Sequence, residues 1–384
     1  MPISSLVFIV IVILLAGTLL YFFFIKEGET PQAVDVLENS GATVAEQFED
    51  QTPVEPATII SEEQAVEVLP EFSLIVDTPV TGATLDGDSL VFYDGWDSQL
   101  VTTNLQGGKL ENESVSYPSL TEIVWAPDKS GLVWREEGGE YYYSDRDVAE
   151  KVLLGPNISS PVFNRDGNLW YRFIDPDGTE SGIRIGSPRT GLVDAQEIMP
   201  AKSNLVLKSI PGQEEISYYL TPSAVRPAGM YTLDTGGSKK PIVGKDTGVE
   251  ISWSPIADQL LFTRVKNGSQ MELWRTDSGG GNSQKLKKST LIDKIAWSPD
   301  GNRIWLAIPK LIPIFSDYKD GISLTEDKLY ELDLASNEVR ELYDLSGQGD
   351  KIDARDMFLS KQGKILYLRN EHNNSLYAVN LSKL

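Results

Sequence analysis

From about residue 64 to the C-terminus, short apolar runs are separated by polar turns, and within the runs apolar and polar residues tend to alternate. Alternation with a period of two is the mark of a β-strand, and no helical periodicity accompanies it. Runs such as Leu132–Trp134, Leu169–Phe173, Leu260–Arg264, Ile304–Ile308 and Ile365–Leu368 recur at intervals of roughly 40–45 residues. A Pro/Asp/Gly turn precedes most of them. The clearest copies are Trp253-Ser254-Pro255 and Trp297-Ser298-Pro299-Asp300-Gly301. Looser copies are Trp125-Ala126-Pro127-Asp128 and Phe163-Asn164-Arg165-Asp166-Gly167.

A strand–turn–strand unit repeated at this period predicts an all-β chain folded as a β-propeller, with seven four-stranded blades and six as the alternative count. Each blade is a small antiparallel sheet that buries its faces only against its neighbours. The turn residues read as structural: Pro fixes φ, Asp caps the turn and Gly supplies a positive φ, while the aromatic before the turn packs between blades. Blade one is read from Phe72. The seventh repeat, beginning at Ala354, supplies three strands before Leu384. Its missing outer strand would leave an unpaired edge. The run Gln64–Leu69 is predicted to pair there and close the ring.

Two segments precede the repeats. Ile3–Ile25 is an uncharged apolar run of about 23 residues, long enough to cross a bilayer as a helix. It lacks a basic leader and a small-residue cleavage site, and it ends in Tyr21-Phe22-Phe23-Phe24, which suits an interfacial aromatic belt. It is expected to be a retained transmembrane anchor. Residues 27–62 are acidic, rich in Pro, Ala, Thr and Gln, and free of Lys and Arg. They are expected to form a disordered stalk. The expected domains are therefore an anchor over 1–26, a stalk over 27–62 and a propeller over 63–384.

The net charge is −22, which disfavours a phosphate backbone as partner, so nucleic acid is not expected. There is no cysteine and a single histidine, His372. Thiolate chemistry and mechanisms needing two imidazoles are excluded, and no metal or cofactor is expected. His372 lies in a polar loop and reads as an exposed loop residue. Ser316-Asp317-Tyr318-Lys319 matches Ser-x-x-Lys without the partner motifs of the enzymes that use it. It belongs to an insertion in blade six, about 309–326, of the kind that often serves one face of a repeat scaffold. Asp175-Pro176-Asp177-Gly178 reads as a tight turn, since the acidic spacing of a calcium loop is not completed.

A positional signal remains. Basic residues stand near the end of the second strand in most blades: Arg135, Arg172, Arg264, Lys310 and Arg369, with Arg226 as a contribution from blade four. Equivalent positions in successive blades form a ring. Together with Trp96 and the blade-six insertion, this ring is the candidate binding surface for an acidic peptide, a carboxylate or an anionic glycan. The bland reading is that neighbouring acids such as Glu136, Asp175 and Glu371 pair with these cations.

The runs WSPDGNRIW, WSPIADQLLF and WAPDKSGLVW resemble the WD40-like repeat of TolB and of the propeller domains of prolyl oligopeptidase and dipeptidyl peptidase IV relatives. The resemblance covers about residues 64–384. Blades one and four depart from it; Lys208 stands where an aromatic is usual. It implies a propeller, often extracytoplasmic and often engaged in protein–protein contacts. The peptidase relatives carry a hydrolase domain after the propeller. This chain shows no Gly-x-Ser-x-Gly, so that activity is not carried over. The expectation is a single-pass membrane protein whose head is a non-enzymatic protein–protein interaction module outside the cytoplasm. Two alternatives stand beside it. One is a carbohydrate- or peptide-binding receptor with aromatic platforms such as Trp96 and Tyr171. The other is a hydrolase or lyase with a carboxylate-based site at the channel mouth, for which Asp94, Asp175, Asp177 and Glu371 are the carboxylates to place.

Overall fold

The computed structural model describes residues 70–384 apart from 106, 109, 110, 149, 179, 180, 202, 203 and 348. The expected anchor, the stalk and the run Gln64–Leu69 lie outside these residues. Among the described residues no helix is long and apolar enough to cross a membrane.

A short strand, β1 (Phe72–Val76), comes first. Blade one follows as β2 (Val80–Asp86), β3 (Ser89–Asp94), β4 (Gln99–Asn104) and β5 (Glu111–Ser116). Blade two is β6 (Leu120–Trp125), β7 (Gly131–Glu136), β8 (Tyr141–Asp145) and β9 (Lys151–Gly155). Blade three is β10 (Ile158–Phe163), β11 (Leu169–Ile174), β12 (Ser181–Gly186) and β13 (Gln196–Pro200). Blade four is β14 (Leu205–Ser209), β15 (Ile216–Leu220), β16 (Ala228–Leu233) and β17 (Lys239–Asp246). Blade five is β18 (Ile251–Trp253), β19 (Gln259–Lys266), β20 (Gln270–Asp277) and β21 (Gln284–Lys285). Blade six is β22 (Ile295–Trp297), β23 (Arg303–Pro309), β24 (Asp327–Asp333) and β25 (Val339–Asp344), with a short helix, α1 (Phe315–Lys319), between β23 and β24. Blade seven is β26 (Ala354–Leu359), β27 (Ile365–Asn370) and β28 (Leu376–Asn380), completed by β1.

The chain is thus a seven-bladed propeller of four-stranded antiparallel sheets. An outer strand from the start of the repeat region does close the ring, but it is Phe72–Val76. Phe72 pairs with Val379 and Leu74 with Tyr377, and the Phe72 ring stacks on Tyr377 at 5.2 Å. Blade one therefore begins at Val80, not at Phe72.

The alternation read in the sequence does a particular job here. The second strand of each blade is apolar on both faces, because each blade packs against two neighbours. In β19, Leu260 and Phe262 enter the core shared with blade four, while Leu261 enters the core shared with blade six. In β27, Leu366 and Leu368 face blade six and Tyr367 faces blade one. Seven such cores sit between successive blades. The aromatics before the turns also tie blades together by hydrogen bonds. Trp125 Nε1 donates to the Gly82 carbonyl at 2.7 Å, Trp253 Nε1 to Ser217 Oγ at 2.9 Å and Trp297 Nε1 to Ser252 Oγ at 2.9 Å.

The turns are structural, as expected. Ser298 Oγ donates to Asp300 Oδ1 at 2.6 Å, the Asn302 N–H donates to the same oxygen at 3.1 Å, and Gly301 has φ of 72°. These bonds hold the Asp300 carboxyl down at about 2. The turns lie on one face of the propeller. The other face carries the loops between second and third strands and the connections into each innermost strand.

Two stability tests follow. A chain beginning at residue 77 exposes the unpaired edge of β28, and is expected to unfold at lower denaturant and to associate at high concentration, as chemical denaturation and light scattering would show. Trp253→Phe leaves the buried Ser217 hydroxyl without its donor, and is expected to lower unfolding free energy by about 1–3 kcal/mol in the same denaturation experiment.

Candidate functional site

Innermost strands start at the face opposite the Pro/Asp/Gly turns and line the central channel. In three neighbouring blades a charged residue stands immediately before that strand: Glu250 before β18, Lys294 before β22 and Asp353 before β26. The ring geometry brings these sequence-distant residues to one side of the channel mouth.

Lys294 is fully buried and ion-paired with Asp327 and, at 2.5 Å, with Asp353 Oδ1; both carboxylates are fully buried too. Its ammonium also donates to Thr325 Oγ1 at 2.9 Å. The carboxylates have further donors. The Ala354 N–H reaches Asp327 Oδ2 at 2.8 Å, and the Thr325 N–H reaches Asp353 Oδ2 at 2.9 Å. Buried ions need this completeness, because desolvation otherwise exceeds the Coulomb gain. Burial pushes the Asp327 carboxyl up, and Lys294 offsets only part of that. Burial also works against charge on Asp353, but Lys294, the Thr325 bond and Arg355 outweigh it and hold its carboxyl below the usual range. The network fastens the end of the blade-six insertion to the start of blade seven. His372 adds a bond, its Nε2 lying 3.0 Å from the Thr325 carbonyl oxygen.

The insertion turns back over the mouth. Phe315 and Tyr318 of α1 are buried against Val265 and Leu291. That anchoring aims Lys319 at Glu250, with Nζ 2.6 Å from Oε1. Glu250 is held from below by its own blade, where its carbonyl accepts from Thr263 N–H at 3.0 Å. Its side chain is 9% exposed, and Oε2 has no hydrogen-bond partner. Burial raises the Glu250 carboxyl above the usual carboxylate range; Lys319 opposes the rise and Asp293 adds to it. Arg355 completes the group, lying over the Tyr318 ring at 4.2 Å and 3.5 Å from Asp293 Oδ2.

Two cavities open here. The first, of about 440 Å³, has Lys208, Tyr219, Glu250, Asp293, Lys319 and Asp356 in its wall. The second, of about 650 Å³, is bordered by Thr81, Gly82, Glu122, Trp125, Asp356 and Arg369. Both border Asp356, whose side chain is 62% exposed and whose Oδ2 lies 2.8 Å from Arg369 Nε.

The residues predicted from sequence are distributed as follows. Arg369 reaches the mouth, where it also pairs with Glu371 at 2.7 Å, and it is the member of the predicted ring that borders these cavities. Arg264 pairs with Asp246 at 3.0 Å and lies over the Trp274 ring at 4.5 Å. Lys310 pairs with Asp344 at 2.8 Å. Arg135 donates to Thr121 Oγ1 at 3.3 Å, and Arg172 is buried. Arg226 lies in an exposed loop, and Trp96 is 70% exposed. Of the four carboxylates named, Glu371 is at the mouth. Asp94 is buried and accepts from Thr78 Oγ1 and the Trp96 N–H, while Asp175 and Asp177 stand in the turn after β11. Ser316 Oγ donates to Asp317 and Lys319 turns to Glu250, so the Ser-x-x-Lys match does not act as a unit. Sequence reasoning missed Glu250, Lys294 and Asp353. Their signal was a charge one residue before three successive innermost strands.

No family model matches the chain, and no curated protein matches its sequence. Solved structures do match in fold. Oligogalacturonate lyase from Vibrio parahaemolyticus is 12% identical, with a TM-score of 0.61 over 80% of this chain and 93% of the other. A structure of oligogalacturonate lyase in complex with manganese is 12% identical, with a TM-score of 0.60 over 81% and 90%. The β-propeller domain of Cps50 (Swd1) from Myceliophthora thermophila is 10% identical, with a TM-score of 0.51 over 80% and 98%. The chain has the fold of these propellers. That is the TolB-like, WD40-like architecture its repeats implied.

These likenesses correct one expectation. The chain was expected to be non-enzymatic, yet solved propellers of this shape include lyases. The expectation rested on the absence of motifs, and a carboxyl group perturbed by burial, such as Glu250, leaves no motif in the sequence. A manganese site does not fit the residues found here. Among the described residues no group of three or more His, Cys, Asp or Glu is placed to hold a metal ion, and His372 is engaged with Thr325.

Replacing Lys294 with Met strands two buried carboxylates. It is expected to cost about 3–5 kcal/mol of stability in denaturant unfolding, and to expose the insertion to limited proteolysis.

Proposed function

We propose that the chain is a lyase that cleaves uronate-containing glycans in the first cavity at the channel mouth. The observation that carries this reading is Glu250: a carboxyl group in a cavity wall, raised by burial, with one oxygen on Lys319 and the other unpartnered. A perturbed acid in a concave site is the usual mark of acid–base chemistry. The likeness in fold to oligogalacturonate lyases supports the same class.

Three carboxylates border the cavity: Asp293, which is paired with Arg355, and Glu250 and Asp356, whose surroundings differ. Glu250 is enclosed, and burial favours its protonated form; Asp356 is exposed and paired with Arg369. Environments that differ in this way divide the acid and base roles. The uronate carboxylate sits near Lys208 and Lys319, whose charges stabilise the negative charge that develops on it. Asp356 takes the proton from C5. The C4–O bond breaks, its electron pair leaves with the oxygen, and Glu250 donates its proton to that oxygen. A C4=C5 double bond forms. Solvent then restores the proton to Glu250 and removes it from Asp356.

The test is to incubate the protein with oligogalacturonate and follow ultraviolet absorbance of the unsaturated product beside release of reducing ends. Both are expected to rise together. Reducing ends without the absorbance would contradict the elimination step, and no cleavage of any uronate glycan would contradict the assignment. Glu250→Gln is expected to lower kcat by about 10²–10⁴-fold. Because the acid must be protonated, activity is expected below its raised pKa and lost as pH rises through it. Lys319 lowers that pKa, so Lys319→Met is expected to move the alkaline limb of the kcat profile to higher pH.

A further inference from the structure

Three blades share a distortion of the innermost strand. Register shifts between Thr81 and Thr84, between Ser159 and Val162 and between Arg355 and Phe358, with a left-handed residue in each gap: Gly82 (φ 64°), Ser160 (φ 51°) and Asp356 (φ 50°). In blade one the bulge serves packing, since a Cβ at Gly82 would lie 2.7 Å from Ile123 Cβ, and the Gly82 carbonyl receives Trp125 Nε1. In blade three it serves the next blade, with Ser160 Oγ accepting from the Leu207 N–H at 2.8 Å. In blade seven it carries a carboxylate, paired with Arg369 of its own blade and open to the channel. A non-glycine residue held in this region stores strain, and bulges re-aim side chains. Here the bulge presents Asp356 at the border of both cavities.

The two cavities differ in the cations they leave available. The first sets Lys208 and Lys319 against Glu250, Asp293 and Asp356; Lys319 is paired with Glu250 and Asp293 with Arg355, which leaves Lys208. The second offers two carboxylates, Glu122 and Asp356, against one cation, Arg369. Arg369 is already engaged by Asp356, Glu371 and Asn374 Oδ1, the last at 2.5 Å. The rest of the wall offers hydroxyl groups, including Thr81 and Thr84, and the Trp125 ring. We propose that this second cavity is a subsite for an uncharged sugar adjoining the uronate, so that the preferred substrate alternates uronate and neutral sugars. The inference rests on the lyase reading and adds the selectivity of its neighbouring subsite. A second uronate would meet Glu122 and Asp356 with no free cation to offset it, and like charges at close range discriminate strongly. A neutral sugar would find carboxylate acceptors for its hydroxyls and an aromatic face.

The experiment compares two probes of equal length with the full-length Glu250→Gln variant by titration calorimetry at fixed salt: an alternating galacturonate–rhamnose tetrasaccharide and tetragalacturonate. The alternating probe is expected to bind at least about tenfold tighter. Glu122→Gln, which keeps an acceptor for the Tyr141 hydroxyl, is expected to shrink that ratio several-fold without lowering the melting temperature appreciably. If a variant fails to fold, the ratio of kcat/KM for the two probes with the unmodified protein reads the same preference. Equal affinities, or tighter tetragalacturonate binding, would overturn the subsite while leaving the lyase reading intact wherever the unmodified protein forms unsaturated product. Absence of binding with absence of cleavage would overturn both.

Discussion

A four-stranded blade is apolar on both faces, so none of the seven can exist without two neighbours. That constraint makes the ring obligatory and sets nearly everything else. It explains why the second strands read as continuous apolar runs, with Leu366 and Leu368 serving one neighbour and Tyr367 the other. It explains why the first strand among the described residues is spent on the last blade: without β1 the ring would meet itself through an unpaired β28. It also fixes where the channel lies and which ends of which strands surround its mouth.

The mouth inherits its chemistry from the same geometry. Innermost strands converge there, and each brings the residue that precedes it. In blades five to seven these are a glutamate, a lysine and an aspartate, drawn into surroundings where water is scarce and charges interact strongly. The buried Lys294 resolves one part of the conflict by satisfying Asp327 and Asp353. That clamp ends the insertion rigidly, and α1, pinned by Phe315 and Tyr318, delivers Lys319 to Glu250. The stabilising network and the acid are thus parts of one arrangement: the clamp positions the insertion, and the insertion moderates the acid.

The repeats, the turns and six of the seven blade starts were legible because each is encoded locally. Trp297-Ser298-Pro299-Asp300-Gly301 states its turn outright. The closing strand was placed a few residues too early, on Gln64–Leu69. The two runs are similar in pattern, and what distinguishes Phe72–Val76 is its distance from Val80: three residues pass from an outer strand to the next innermost one, as between Ser116 and Leu120. The basic strand ends were legible as a ring, but their partners were not, since Asp246 and Asp344 come from other strands. Glu250 was hidden more deeply. Its position before β18 is visible in the repeat, but its raised pKa comes from burial under an insertion about 70 residues further along the chain, in a fold whose topology must be known first.

The account depends on Glu250 holding a proton near neutral pH, and carboxyl carbon NMR of glutamate-labelled protein measures that directly. One glutamate resonance, absent from Glu250→Gln, is expected to titrate well above the usual value of about 4.3. If every glutamate resonance titrates at or below that value, the mouth holds no acid and the account fails.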